Sequence, residues 1–111
     1  MEVPLKARLL DSIASTNEVS IEEYRCERCY RALTATNKMS IVKPPLIFVV
    51  RLKRYKEDTL LWIRRYTKDD KKIAIERELV INQTPLKLRM LINHSGSERG
   101  GHYTALAEFN N

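Results

Sequence analysis

A chain of 111 residues with 43% hydrophobic content supports one domain at most, able to bury about 60 to 70% of its unfolded surface around one modest core. No apolar run approaches the ~20 residues that a membrane span requires, and the amino terminus lacks the basic-then-apolar pattern of a secretory signal, so the composition predicts a cytoplasmic or nuclear protein without a membrane partner. The formal charge of +6 is concentrated in residues 51 to 72, which carry nine Lys or Arg against four Asp or Glu. Interleaved with Tyr55, Trp62 and Tyr66, that stretch invites a nucleic-acid reading. The alternation of charges with Leu61, Ile63, Ile73 and Ile75 favours solvated faces of ordinary strands instead, and nucleic acid is not favoured as a partner.

In chain order, Pro4 suits a first helical turn. Leu5, Leu9, Leu10 and Ile13 then recur at helical spacing until Ser15-Thr16-Asn17, which predicts a short amphipathic helix over residues 5 to 14. Val19, Ile21 and Tyr24 lead into the pair Cys26 and Cys29. Ala32 to Val42 reads as a strand. Pro44-Pro45 bars helix, and the apolar run from Leu46 to Leu52 is the candidate for a central strand buried on both faces. Further strands are expected at Leu60 to Tyr66, Lys72 to Glu76, Leu86 to Asn93 and Tyr103 to Phe109, with polar connections at residues 56 to 59, 67 to 71 and 82 to 85. There is no internal repeat and no low-complexity segment.

Two segments carry chemistry. Cys26 and Cys29 stand at C-x-x-C spacing, with which two thiolates on a tight turn can grip one edge of a tetrahedral metal ion. A structural zinc knuckle, a redox-sensitive dithiol and a catalytic cysteine are the three readings, in that order of preference. The pair supplies only half of a four-ligand site. The second segment, Asn93-His94-Ser95-Gly96-Ser97-Glu98-Arg99-Gly100-Gly101-His102-Tyr103-Thr104-Ala105, sets His102 at a strand start behind a glycine pair, where another backbone can approach closely. A polar turn histidine is the bland alternative.

The second segment resembles the histidine box of the ubiquitin-specific proteases. Residues 26 to 55 are similar to the same family's second zinc-knuckle pair, its "A..K" strand and its "P..L...LKRF" strand, in the same order. The resemblance covers roughly residues 3 to 109. It implies a β-rich α+β chain that forms part of a papain-like, open-hand cysteine protease fold, with residues 1 to 43 in the fingers and zinc-knuckle remnant and residues 44 to 111 in the palm. The implied reaction is thiol-dependent hydrolysis of the bond after ubiquitin's C-terminal glycine, with ubiquitin or a ubiquitinated protein as partner and no cofactor for the chemistry.

By this resemblance His102 is the general base, His94 is the non-catalytic histidine of the box, and Gly100, Gly101 and Tyr103 meet the substrate tail. Cys26 and Cys29 are half of a zinc knuckle. The family's nucleophilic cysteine comes from a box upstream of the knuckle, so no nucleophile is expected among these residues. Its orienting Asp or Asn comes in a later strand; Asn110 and Asn111 are the only terminal substitutes. The expectation is a chain inactive by itself, completed by an N-terminal half or acting as a non-catalytic ubiquitin-binding module. Ubiquitin's tail is cationic, and Glu76, Glu78 and Glu98 are the acidic groups that could receive it.

Overall fold

A computed structural model describes residues 1–109. The described chain is mostly β with one short helix: β1 (Glu2–Val3), α1 (Leu9–Ala14), β2 (Glu18–Arg25), β3 (Ala32–Lys38), β4 (Arg51–Leu52), β5 (Tyr55–Leu60), β6 (Ile63–Lys68), β7 (Glu78–Ile81), β8 (Thr84–Lys87), β9 (Met90–Ser97) and β10 (Gly100–Ala107). Four antiparallel hairpins account for most of it, β2–β3, β5–β6, β7–β8 and β9–β10, and β1 pairs with β4 in parallel.

The helix is shorter than its apolar spacing suggests. Residues 5 to 8 stay out of it because their backbone is committed elsewhere: Arg8 bridges Ala74, with the Leu9 amide donating to the Ala74 carbonyl at 2.9 Å and the Ala74 amide to the Ala7 carbonyl at 2.8 Å. Ser12, fully buried, closes the entry by donating to the Arg8 carbonyl and accepting from the Lys6 amide, both at 3.1 Å. The Arg8 guanidinium meets the Glu76 carboxylate at 2.8 Å beside this bridge. Lys72 to Glu76 is therefore not a strand but an irregular segment held by Arg8 at Ala74 and Glu76 and by the packing of Ile75 on the core.

The run Leu46 to Leu52 also departs from expectation. Only Arg51–Leu52 pairs, with β1. Phe48, Val50 and Leu52 turn onto the core, while Leu46, Ile47 and Val49 lie in solvent. A strand buried on both faces needs a layer on each, and among the described residues one face alone is covered. That core consists of Val3, Leu9, Ile13 and Ile81, with Ile41, Ile75, Leu79 and Leu86 packed around it. It joins residues from Val3 at the start of the chain to Leu86 of β8.

The hairpin turns shift the remaining boundaries. Leu61 and Trp62, expected inside a strand, form the two-residue turn of β5–β6, with φ of 51° and 69°. Positive φ at both central residues gives the twist that a tight hairpin needs, so residues 56 to 59 are strand and not connection. Asn82 and Gln83 do the same between β7 and β8, with φ of 45° and 65°. The stretch Leu86 to Asn93 is accordingly split between β8 and β9 at Leu88-Arg89. Along β4 to β6 most of the charged side chains stand in water in loose pairs, such as Arg64 with Glu57 at 3.3 Å and Lys56 with Asp69 at 3.7 Å, whereas Lys68 is largely buried.

Candidate functional site

The glycine segment is the β9–β10 hairpin. Ser97 pairs with Gly100 across a turn of Glu98-Arg99, and the register continues through Gly101↔Gly96, His102↔Ser95 and Tyr103↔His94. The glycines differ in what they do. Gly96 adopts φ of 121°, and a Cβ there would stand 2.6 Å from the Gly100 carbonyl oxygen and 2.7 Å from the Gly101 Cα. At Gly101 a Cβ would strike the Ser95 carbonyl oxygen and stand 2.5 Å from His94 Nε2. Gly100 faces open space, with nothing within 4 Å of its added Cβ. Gly96 and Gly101 are thus required for the hairpin to close, and Gly100 leaves bare backbone at its surface.

Strand alternation divides the named residues between two faces. His94, Gly101 and Tyr103 share one: the His94 and Tyr103 rings lie tilted against each other with centroids 4.6 Å apart, and Tyr55 approaches from β5 with its hydroxyl 3.2 Å from His94 Nδ1. An open groove of about 330 Å³ lies here, lined by Tyr55, His94, Ser97, Glu98, Arg99, Gly100, Gly101 and Tyr103. His102 points to the other face with Ser95 and Thr104 and is exposed. Its imidazole has no side-chain hydrogen-bond partner among the described residues. Asn110 and Asn111, the candidates to orient it, lie outside those residues.

The structure therefore brings Gly100, Gly101 and Tyr103 together around His94 and sets His102 beside them, one residue along the same strand and reversed in direction. Tyr55 and Lys68 of the β5–β6 hairpin also belong to this region, and sequence reasoning did not single them out. Lys68 Nζ donates to the His94 carbonyl at 2.8 Å and to that of Gly96 at 3.4 Å. The single sequence-level signal would have been Tyr55 at the end of the Leu52-Lys53-Arg54-Tyr55 motif, an aromatic held next to the basic stretch. Of the three carboxylates considered for a cationic tail, Glu98 alone lines the groove; Glu76 is engaged by Arg8 and Glu78 by Lys87.

The cysteine pair is elsewhere, on the turn between β2 and β3. The Tyr30 amide donates to the Cys26 carbonyl at 2.7 Å and the Cys26 amide to that of Arg31 at 3.2 Å; Tyr30 takes φ of 56° to reverse the chain. The turn aims backbone amides at the Cys26 sulfur. Hydrogen bonds from the backbone of Cys29, then from that of Arg28, then from the Cys29 side chain, lower the Cys26 thiol pKa below its ordinary value against a smaller upward push from burial. That favours the thiolate, the form in which cysteine binds metal or reacts. Two donors are all the turn offers: among the described residues no group of three His, Cys, Asp or Glu is placed to hold a metal ion. The pair fits one edge of a zinc site and not a complete one. No hydrogen bond or ring contact joins either thiol to His102 among the described residues.

The sequence matches the ubiquitin carboxyl-terminal hydrolase family over residues 11–111. It is 29% identical to ubiquitin carboxyl-terminal hydrolase 11 of Schizosaccharomyces pombe over 86% of this chain and 28% of that protein. It is 30% identical to ubiquitin carboxyl-terminal hydrolase 4 of Arabidopsis thaliana over 92% of this chain and 30% of that protein. With ubiquitin carboxyl-terminal hydrolase 2 of Gallus gallus it shares 34% identity over 76% of its length and 25% of the relative's. Its fold is similar to that of a chain in the solved structure of the SAGA Ubp8/Sgf11/Sus1/Sgf73 DUB module, with a TM-score of 0.76 at 21% identity over 96% of this chain and 27% of that one. The chain spans less than a third of the length of each of these proteins, and within that span it belongs to the ubiquitin carboxyl-terminal hydrolase family.

Proposed function

We propose that this chain provides the fingers and palm of a ubiquitin-specific protease, with residues 1 to 43 in the first and 44 to 111 in the second, and that its reaction is hydrolysis of the bond after ubiquitin's C-terminal glycine. The observation that carries this reading is the β9–β10 hairpin. It has no room for a side chain at Gly96 or Gly101, it exposes bare backbone at Gly100, and it holds His102 at a fixed register just beyond. Such a surface accepts an extended tail without side chains, main chain against main chain.

In the proposed mechanism His102 takes the proton of a cysteine thiol, and the thiolate adds to the terminal glycine carbonyl. The tetrahedral adduct collapses as the imidazolium returns the proton to the departing amine. A water, deprotonated by the same imidazole, then cleaves the thioester and regenerates the thiol. Tyr103 and Gly101 position the tail on their face of the hairpin, and its terminal glycine passes the bare Gly100 backbone to reach the face of His102. The thiol comes from neither Cys26 nor Cys29, which remain on the β2–β3 turn in a structural role; zinc held there would brace the fingers and take no part in the chemistry. The reaction belongs to the cytoplasm or nucleus, where ubiquitinated proteins are found.

By itself the 111-residue chain should therefore not release a fluorogenic group from the ubiquitin C-terminus, and an N-terminal half carrying the nucleophile should restore turnover that His102→Ala abolishes. Turnover by the chain alone that survives replacement of both Cys26 and Cys29 by serine would overturn this assignment. A second reading, a non-catalytic ubiquitin-binding module, is favoured by the solvent-exposed imidazole of His102, which has no side-chain hydrogen-bond partner among the described residues. In that case labelled ubiquitin shows resonance shifts on titration with the chain while no added half yields turnover. Unmoved ubiquitin resonances at high protein concentration exclude it.

A further inference from the structure

The β5–β6 and β9–β10 hairpins meet through one cross-strand pair. Tyr55 and Lys68 are direct partners in the β5–β6 register, and both reach the same residue of β9. The Tyr55 hydroxyl lies 3.2 Å from His94 Nδ1. The Lys68 ammonium holds the His94 carbonyl at 2.8 Å, with the Gly96 carbonyl at 3.4 Å and the Asp70 carboxylate at 3.5 Å. Only 12% of the Lys68 side chain remains exposed. An ammonium withdrawn from water to this extent needs acceptors in place of its hydration, and here they are two backbone carbonyls of the groove-forming strand and one counter-charge. Tyr55 has an equally defined task. With the His94 carbonyl engaged by Lys68, the phenol is the group left to fix the imidazole at Nδ1. A phenol that donates there leaves the ring proton on Nε2, the atom under Gly101.

We propose that Tyr55 and Lys68 are positioning residues for the groove: acting through His94, they set the height and orientation of the Gly100-Gly101 backbone that receives a peptide ending in Gly-Gly. The inference rests on the assignment of the groove to such a tail. His94 is the intermediary because its Nε2 stands 2.5 Å from the place of an added Gly101 Cβ and its ring lies 4.6 Å from that of Tyr103. Any tilt of the imidazole is transmitted to both.

The test uses the full chain, with imidazole nitrogen shifts of His94 by NMR as one readout and titration of a short peptide ending in Gly-Gly with a free carboxylate as the other. The intact chain should show the Nε2–H tautomer. Tyr55→Phe, which removes one oxygen, should mix the tautomers and weaken the peptide about three- to tenfold, the size of one or two hydrogen bonds, at a nearly unchanged melting temperature. Lys68→Met should weaken it at least as much, and Lys68→Arg should recover part of the loss. Unchanged tautomer and unchanged peptide affinity in Tyr55→Phe overturn the proposal. If the intact chain binds no peptide, the assignment of the groove fails, and the tautomer alone decides the coupling: a response in Tyr55→Phe sustains it and none refutes it. Tyr55→Phe keeps the test decisive if Lys68→Met does not fold.

Discussion

The two hairpins that carry the candidate site residues are built in opposite ways. The β2–β3 turn is specified by its own residues: Cys26 through Arg31 make the turn's hydrogen bonds among themselves, and the backbone of Cys29 and Arg28 serves the Cys26 sulfur. The β9–β10 turn is specified by its neighbours, because His94 beneath Gly101 is itself held by Tyr55 and Lys68 from another hairpin. A site made by local chain geometry keeps its character when the rest of the molecule is perturbed. One made by a clamp responds to substitutions far along the sequence.

The largest effect that would break this contrast is expected at Gly101. Gly101→Ala forces a methyl group onto the Ser95 carbonyl oxygen and the His94 ring, and should cost about 3 kcal/mol, the upper part of the range for overpacked sites. Denaturant midpoints measure it. Gly100→Ala, one residue away and facing open space, should stay within about 0.5 kcal/mol of the original. Equal losses at the two positions would show that the clamp does not discriminate between them.

A gain is expected at the far end of the β5–β6 hairpin. Leu61 and Trp62 occupy the left-handed region at φ of 51° and 69°, where each side chain costs roughly 1 kcal/mol and Asn-Gly is the preferred pair. The double replacement Leu61→Asn, Trp62→Gly should therefore stabilise the chain by about 1 to 2 kcal/mol, read from the same midpoints. With Lys68 and Tyr55 untouched at the hairpin's base, peptide binding should not change. A change in affinity would mean that the tip, and not only the base, acts on the groove.

The smallest effect belongs to the knuckle and concerns reactivity instead of stability. A lowered thiol pKa means that thiolate persists to lower pH, so alkylation of Cys26 should titrate below the value found for the same residue in the denatured chain. Because the Cys29 backbone is the first cause and its side chain only the third, Cys29→Ser should retain most of that shift. Its complete loss would assign the shift to the Cys29 thiol. Substitutions at Tyr55 or Lys68 should leave this titration where it is.

What was legible in the sequence follows the same division. The C-x-x-C segment was legible as a turn because its hydrogen bonds close among Cys26 to Arg31, and Gly101 was legible as a point of close backbone approach, whereas the support that His94 receives from another hairpin was not. The run Leu46 to Leu52 was legible as non-helical, but neither its pairing at Arg51–Leu52 alone nor its half-exposure could be read, since an apolar run does not state how many layers cover it. The turn at Leu61-Trp62 carried no warning: two bulky apolar residues are poor left-handed residues, and only the pairing of Tyr55–Leu60 with Ile63–Lys68 places them there. Asn82 at the β7–β8 turn did carry one, being a residue that tolerates that conformation. The place of Tyr55 and Lys68 at the groove was not legible, although Tyr55 ends a motif, because it depends on contacts with a residue 39 and 26 positions away.

The β1–β4 pairing has a consequence for the order in which the chain assembles. The Met1 amino group and carbonyl reach Val49 and Arg51, so this smallest sheet closes a separation of 48 residues for a handful of bonds, whereas each hairpin closes across a short turn. Hairpins form on a scale of about 1 to 10 μs, and long-range closure must first meet its entropic cost. The four hairpins should thus be in register before the core exists. The core around Val3, Leu9 and Ile13 is then the last element to form, and since β10 is exposed along its whole length in a two-stranded sheet, the amides of α1, whose opening uncovers that core, should exchange with solvent after those of β10.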